Sequence, residues 1–206
     1  MGAMMRLRLG SALALGCFAL LLAGCGSEPV AEKKVEPPPE PVTGQKALYR
    51  MYAVARSTWA RDAQVEKMSS LRVNGIPDAP PGKANAWEAT FFSPSLGSAR
   101  SYTYSIVEQL PDLHKDVFAG PTQSSSNPSF LIAAVKTDSD AAYQTALTKA
   151  AKDAQRNAGK PILVLLELDR KFPDPAWRIV WGDSVSTSGL SVLVDANTGE
   201  YLSTLH

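Results

Sequence analysis

The chain has 206 residues, with 21 Lys and Arg against 20 Asp and Glu, two cysteines and two histidines. A balance this near neutral, with no long basic run, argues against nucleic acid or an anionic membrane surface as the main partner. Both cysteines, Cys17 and Cys25, stand near the N-terminus, so the rest of the chain holds neither a disulfide framework nor a thiol nucleophile.

Arg6 and Arg8 precede an apolar run over residues 9–22 that ends in Leu22-Ala23-Gly24-Cys25. A basic start, a short apolar stretch and small residues at its end make an export signal. The run falls short of the roughly 20 residues that a helix needs to cross a membrane. Its last four residues resemble the lipobox of bacterial lipoproteins, which implies cleavage after Gly24 and acylation of Cys25. Attachment through several acyl chains is stable, each buried methylene contributing about 0.8 kcal/mol. Gly26, and not an aspartate, follows the cysteine, which by the same resemblance implies an outer membrane facing the periplasm in a Gram-negative host. Removal of residues 1–24 takes Arg6 and Arg8 with it and leaves 19 basic side chains against 20 acidic ones.

Residues 25–45 are rich in proline and glutamate and offer almost nothing to bury, so they read as a tether. Two α+β units are expected beyond it, at 46–125 and 126–206. In the first, Leu48, Met51, Tyr52, Ala55 and Trp59 make the stripe of an amphipathic helix over 45–60. Strands are expected at 64–73, 86–92 and 100–107, the last with Tyr102, Tyr104 and Ile106 alternating against Ser101, Thr103 and Ser105. The segment 120–129, polar with proline near both ends, reads as a connection without a site. A second helix is expected from Asp138 or Ser139 to Ala158, stopped by Gly159 and Pro161. Strands then follow at 162–168, 176–181, 190–195 and 201–205.

The segments beginning Ala86-Trp87 and Ala176-Trp177 run in parallel through an aromatic four residues after the tryptophan, a serine-rich turn and a further strand. That points to a diverged repeat of a helix packed on an antiparallel meander. Trp87, Phe91, Tyr102, Tyr104, Trp177 and Trp181 fall on the helix-facing side and are expected to fill a core rather than line a ligand platform.

Asp195, Asn197 and Gly199 in "VDANTGEYL" suggest a calcium loop at first sight. Counting from Asp195, however, the sixth position is Glu200 and the twelfth is His206, where an EF-hand needs glycine and a bidentate glutamate. A catalytic aspartate lacks a partner, since neither His114 nor His206 stands in a motif. The remaining reading is a hairpin turn, with Asp195 accepting backbone N–H bonds, Asn197 tolerating turn dihedrals and Gly199 supplying a positive φ. This strand and turn, behind a helix and the strand around Trp177, is similar to the PepSY domains of bacterial envelope proteins and protease propeptides over residues 139–205. The first unit lacks the motif. The resemblance implies a helix on an antiparallel meander and a role in inhibiting or chaperoning a protease; it carries no catalytic residue.

No metal set, cofactor motif or nucleophile appears. The stretch Gly75 to Lys83 has three prolines where a phosphate loop needs N–H donors. Strand alternation sends Leu163, Leu165, Val180 and Leu193 outward together on the second unit, which is more apolar than a free sheet face should be. These four are the expected partner face, covered either by the first unit or by another protein. Glu88, Thr90, Ser101, Thr103 and Ser105 on the first unit read as an ordinary solvated face. The expected function is therefore a lipid-anchored, non-catalytic module that binds an envelope protein or peptide. The alternative is a cystatin-like cone holding a small apolar ligand between helix and sheet.

Overall fold

Apolar residues at helical spacing and at alternate positions divide the chain into elements, and a computed structural model shows how they assemble. It describes residues 40–206, within a compact unit spanning Pro38–His206. The export signal, Cys25 and most of the tether lie outside the described residues. In order come β1 (Val42–Thr43), α1 (Gly44–Thr58), β2 (Gln64–Leu71), β3 (Lys83–Ala84), β4 (Ala86–Ser93), β5 (Ser98–Ser105) and β6 (Asp116–Gln123). A 3-10 turn at Ile132–Ala134 leads to α2 (Ser139–Lys149), α3 (Ala151–Arg156), β7 (Ile162–Glu167), β8 (Ala176–Trp181), β9 (Ser191–Asp195) and β10 (Tyr201–Leu205).

Two helix-plus-meander units are present, but they do not form two sheets. β2 pairs with β7 through Lys67↔Glu167, Met68↔Leu166 and Ser69↔Leu165. This joins the meanders into one eight-stranded antiparallel sheet of order β10-β9-β8-β7-β2-β4-β5-β6. The pairing places equivalent strands at mirrored distances from the β2–β7 seam. Ser69 pairs with Glu88 as Leu165 pairs with Arg178, and Lys67 with Thr90 as Leu163 with Val180. Ser69 and Leu165 are thus equivalent to each other and also paired with each other, so an approximate two-fold axis passes between them.

The helices obey the same symmetry. The buried set Gly44, Ala47, Met51 and Ala55 of the α1 half corresponds, under one constant shift, to Ser139, Ala142, Ala146 and Ala150. The N-termini of α1 and α2 meet. Gly44 N–H donates to Ser139 Oγ (2.7 Å), and Asp138 Oδ1 accepts from both Gln45 N–H (2.9 Å) and Ser139 N–H (2.7 Å). One carboxylate therefore stands at the positive ends of two helices, where α1's own N-cap residue, Thr43, makes no side-chain cap. Only glycine fits at 44, because a Cβ there would lie 2.7 Å from Trp177 Cη2.

Both helices cover the same sheet face, and the core lies between. Trp87, Trp177, Phe91 and Tyr102 are fully buried there, with Tyr104 and Trp181 nearly so. Each central indole N–H donates to a carbonyl two residues before a helix, Trp87 to Val42 (3.1 Å) and Trp177 to Thr137 (2.8 Å). Phe91 and Tyr102 pack edge to face at 5.7 Å between ring centroids.

Several expectations are corrected. The tether does not extend to residue 45, since Val42 and Thr43 pair with Ala84 and Lys83 and Val42 is buried. The long second helix breaks at Ala150 into α2 and α3, and the local run of alanine, lysine and threonine gives no reason for it. The connection over 120–129 begins as an edge strand, β6. Gly120 and Pro121 hide it from a sequence reading, but proline is tolerated at a sheet edge, and the register shift opposite Arg100 and Tyr102 takes up the irregularity.

Candidate functional site

The sheet face away from the helices is where the two halves differ, and the predicted site residues other than Cys25, which lies outside the described residues, fall on it or at its end. Asp195 is committed to its turn: Oδ1 accepts from Asn197 N–H (2.7 Å) and Thr198 N–H (2.8 Å), and Gly199 N–H donates to Asp195 O (2.9 Å). Gly199 has φ +78°, and the turn docks on the start of α2, where Lys136 and Thr137 N–H both donate to Ala196 O. The turn therefore orders β10 and the entry to α2.

Leu163, Leu165, Val180 and Leu193 all point to the open face, yet they are not alike. Leu163 and Leu165 are half-buried, whereas Val180 and Leu193 are 0% and 1% exposed. The expectation of a four-residue apolar surface is corrected to a two-residue one, because alternation determines a side chain's face and not what neighbouring strands and loops lay over it. The first unit does not cover this face; it continues it sideways through β2. On its half, Thr90 and Ser105 are buried rather than solvated, and Glu88, Ser101 and Thr103 are half-buried.

Two grooves adjoin along the β2–β7 seam and share Ser69 and Leu165, the pair on the approximate axis. One, of about 460 Å³, is bounded by Leu71, Pro161, Leu163 and Gly182, with Arg72 and Asp183 at its end. The other, of about 300 Å³, carries Lys67, Glu88, Thr90, Ser101 and Glu167. The surface thus has an apolar lane beside a polar one. Arg72 donates to Asp183 Oδ1 at 2.6 Å and to Asp78 Oδ1 at 3.1 Å, tying the first half to the second, and these bonds raise its pKa, the Asp183 bond most. Arg178 reaches Glu167 at 3.4 Å across the β7–β8 pair.

The bulge between Val65 and Lys67 leaves Glu66 outside the regular register, and its carboxylate is buried. Ser125 Oγ donates to Oε2 at 2.8 Å and Asn127 Nδ2 to Oε1 at 2.6 Å. The polar connection after β6 is therefore fastened to β2, and Phe130 completes the fastening by bridging Val65. Sequence reading missed this. The serine and asparagine run was the available signal, but nothing in it names the distant glutamate.

On the helix side, a cavity of about 410 Å³ opens between α2, α3 and the sheet, lined by Tyr143, Leu147, Ala154, Ile162, Trp181 and Lys160 among others. The bulk expected from Tyr143 is there, its ring 6.1 Å from that of Trp181, and Leu147 and Gln155 share the helix wall with the small residues Ala151 and Ala154. His114 stacks on Phe118 at the far edge, 3.9 Å from Glu108. It does not approach Asp195.

No family model matches the sequence, and no characterised protein matches it significantly. The chain is loosely similar to a crystal structure of a provisionally described lipoprotein from Clostridium difficile 630, with 13% identity and a TM-score of 0.40 over 75% of this chain and 88% of that one.

Proposed function

We propose that this chain is a lipid-anchored protein of the bacterial cell envelope whose compact unit binds a protein or peptide on the open sheet face, without catalysing a reaction. The observation that carries the reading is the apolar lane of Leu163 and Leu165 lying beside the polar lane of Lys67, Glu88 and Glu167. A mixed surface of this kind suits an apolar anchor ringed by polar contacts. The anchor itself rests on the lipobox at Leu22-Ala23-Gly24-Cys25, and outer-membrane placement facing the periplasm on Gly26. The finer reading, a PepSY-like module acting on a protease, draws on the Asp195 to Gly199 turn and the helix-plus-meander layout.

Photo-cross-linking in intact membranes tests the binding face, with the reactive group placed in turn at Leu163, Leu165 and Tyr49. A recurrent partner captured from the two leucines and not from Tyr49 is the expected result. Capture of the same abundant proteins from all three positions would sink it. Metabolic labelling with a tagged fatty acid, lost in Cys25→Ser, tests the anchor.

A second reading, a small apolar ligand held between helix and sheet, is favoured by the cavity of about 410 Å³ beside Tyr143 and Trp181. Its volume is in the range of ligand pockets, roughly 300–1,000 Å³.

A further inference from the structure

The cavity exists because the two halves fill the helix side differently. Under the shift that relates the helices, Ala154 stands where Trp59 packs against the core in the α1 half, and Ala154 borders the cavity together with Ala151 and Ala158. An alanine in the place of a tryptophan reaches less far toward the sheet, and the room left over is bordered by Tyr143, Leu147, Ile162 and Trp181. Such a wall suits an apolar body and offers little to a polar one.

Charge at the mouth narrows the choice. Among the described residues, Lys160 is the one charged side chain lining this cavity. It also lines an adjoining cavity of about 160 Å³ together with Lys83, Arg72 and Asp78, and Pro81 and Ile162 border both. Arg72 is already held by Asp183 at 2.6 Å and by Asp78 at 3.1 Å, so the unmatched charge is that of the two lysines, neither of which makes an ion pair among the described residues. The entrance therefore carries an excess of positive charge beside an apolar interior.

We infer that this site binds an anionic amphiphile, with its apolar chain against Tyr143, Leu147 and Trp181 and its anionic group at Lys160 and Lys83. The inference rests on the second reading above and gives its ligand a chemical class. A cationic head would be repelled by the lysines, and a neutral alcohol could accept only an uncharged-acceptor hydrogen bond from them.

The compact unit of residues 38–206, which holds the strands and core of the described residues, is titrated with monomeric dodecanoate, dodecanol and dodecyltrimethylammonium, read by calorimetry and tryptophan emission. Dodecanoate is expected to bind one per chain, about tenfold or more tighter than the other two. Lys160→Glu, an exposed change, should weaken it about tenfold with an unchanged urea midpoint, and Ala154→Phe, which fills the cavity, should abolish it. Equal binding of all three probes, indifferent to Lys160→Glu, would overturn the anionic class and leave the cavity reading standing; binding of none would overturn both. Displacement of dodecanoate by phosphatidylglycerol vesicles but not by phosphatidylcholine vesicles would assign the anion to a lipid headgroup. Its retention in the presence of either would assign it to a free acid.

Discussion

The two halves of the sheet agree on one face and disagree on the other. On the helix side, Trp87 and Trp177, Phe91 and Trp181, Tyr102 and Val192, Tyr104 and Val194 hold equivalent places, and all are buried. On the open side, Lys67, Ser69, Thr90 and Thr103 are equivalent to Leu163, Leu165, Val180 and Leu193. A residue under a helix is held to a largely apolar side chain in either half, since an unpaired buried polar group is costly, and the Tyr102 hydroxyl, buried without a partner, is the exception. The open face is held to that demand only where neighbouring strands and loops bury a residue, as at Val180 and Leu193. The contrast between its halves is where the structure has room for specialisation.

The largest effect is expected where the halves agree. Trp87→Ala and Trp177→Ala each remove a fully buried indole and its hydrogen bond to the segment before a helix, and each should cost about 3–5 kcal/mol. Because β2–β7 pairing makes one sheet, either variant should unfold in a single urea transition seen alike by far-ultraviolet dichroism and by fluorescence. Two separated transitions would break the comparison by making the halves independent domains.

On the open face the equivalent exchange should be unequal. Leu193→Thr places a hydroxyl at a site that is 1% exposed, and a loss of about 2–4 kcal/mol in urea melts is expected. Thr103→Leu, at a half-buried equivalent, should stay within about 0.5 kcal/mol of the parent. Similar costs for the two would mean that the halves differ in sequence but not in environment.

Much of this was legible in the sequence because the signals are local. Strand β8 spans the expected 176–181, β10 the expected 201–205, and α1 starts one residue before its expected position. The inward side of the aromatics follows from alternation alone. What could not be read depends on contacts between distant segments. Nothing near Ser69 or Leu165 tells that they pair, so the fusion of two meanders was invisible, and with it the adjoining of the two lanes. The burial of Val180 and Leu193, the fastening of Ser125 and Asn127 to Glu66, and the cavity under α2 belong to the same kind. For the turn at Asp195 the sequence sufficed, because every atom that satisfies the carboxylate lies within three residues.

The two helix starts give a smaller contrast. Asp138 accepts from the N-termini of both α1 and α2, whereas Thr43, in the equivalent place, caps neither with its side chain. Asp138→Ala should therefore cost about 1–2 kcal/mol, and Thr43→Ala only a few tenths. Equal losses would show that the shared carboxylate contributes nothing beyond an ordinary cap.

The smallest effect lies in the turns that open the outer hairpins. In the first half, Asp62 holds the β4–β5 turn: Ser93 Oγ donates to Oδ1 at 2.7 Å and Ser95 N–H to Oδ2 at 2.8 Å. In the second half the β8–β9 turn is closed on itself by uncharged groups, Ser184 Oγ meeting Thr187 Oγ1 at 2.7 Å and accepting from Thr187 N–H at 3.2 Å, while Asp183 at its start pairs outward with Arg72. The hydrogen bond from Ser93, then that from Ser95, lowers the Asp62 pKa below the ordinary aspartate value. A depressed folded-state pKa means that the contribution is full above the unfolded value and is lost as pH falls through the folded one. Acidification into that range should thus loosen the β4–β5 turn before the β8–β9 turn. Amide exchange at Ser95 and Leu96, compared with Thr187 and Ser188 over a pH series and corrected for intrinsic rates, reads this directly. In Asp62→Asn the pH dependence at Ser95 should vanish; its persistence would assign the titration to another group.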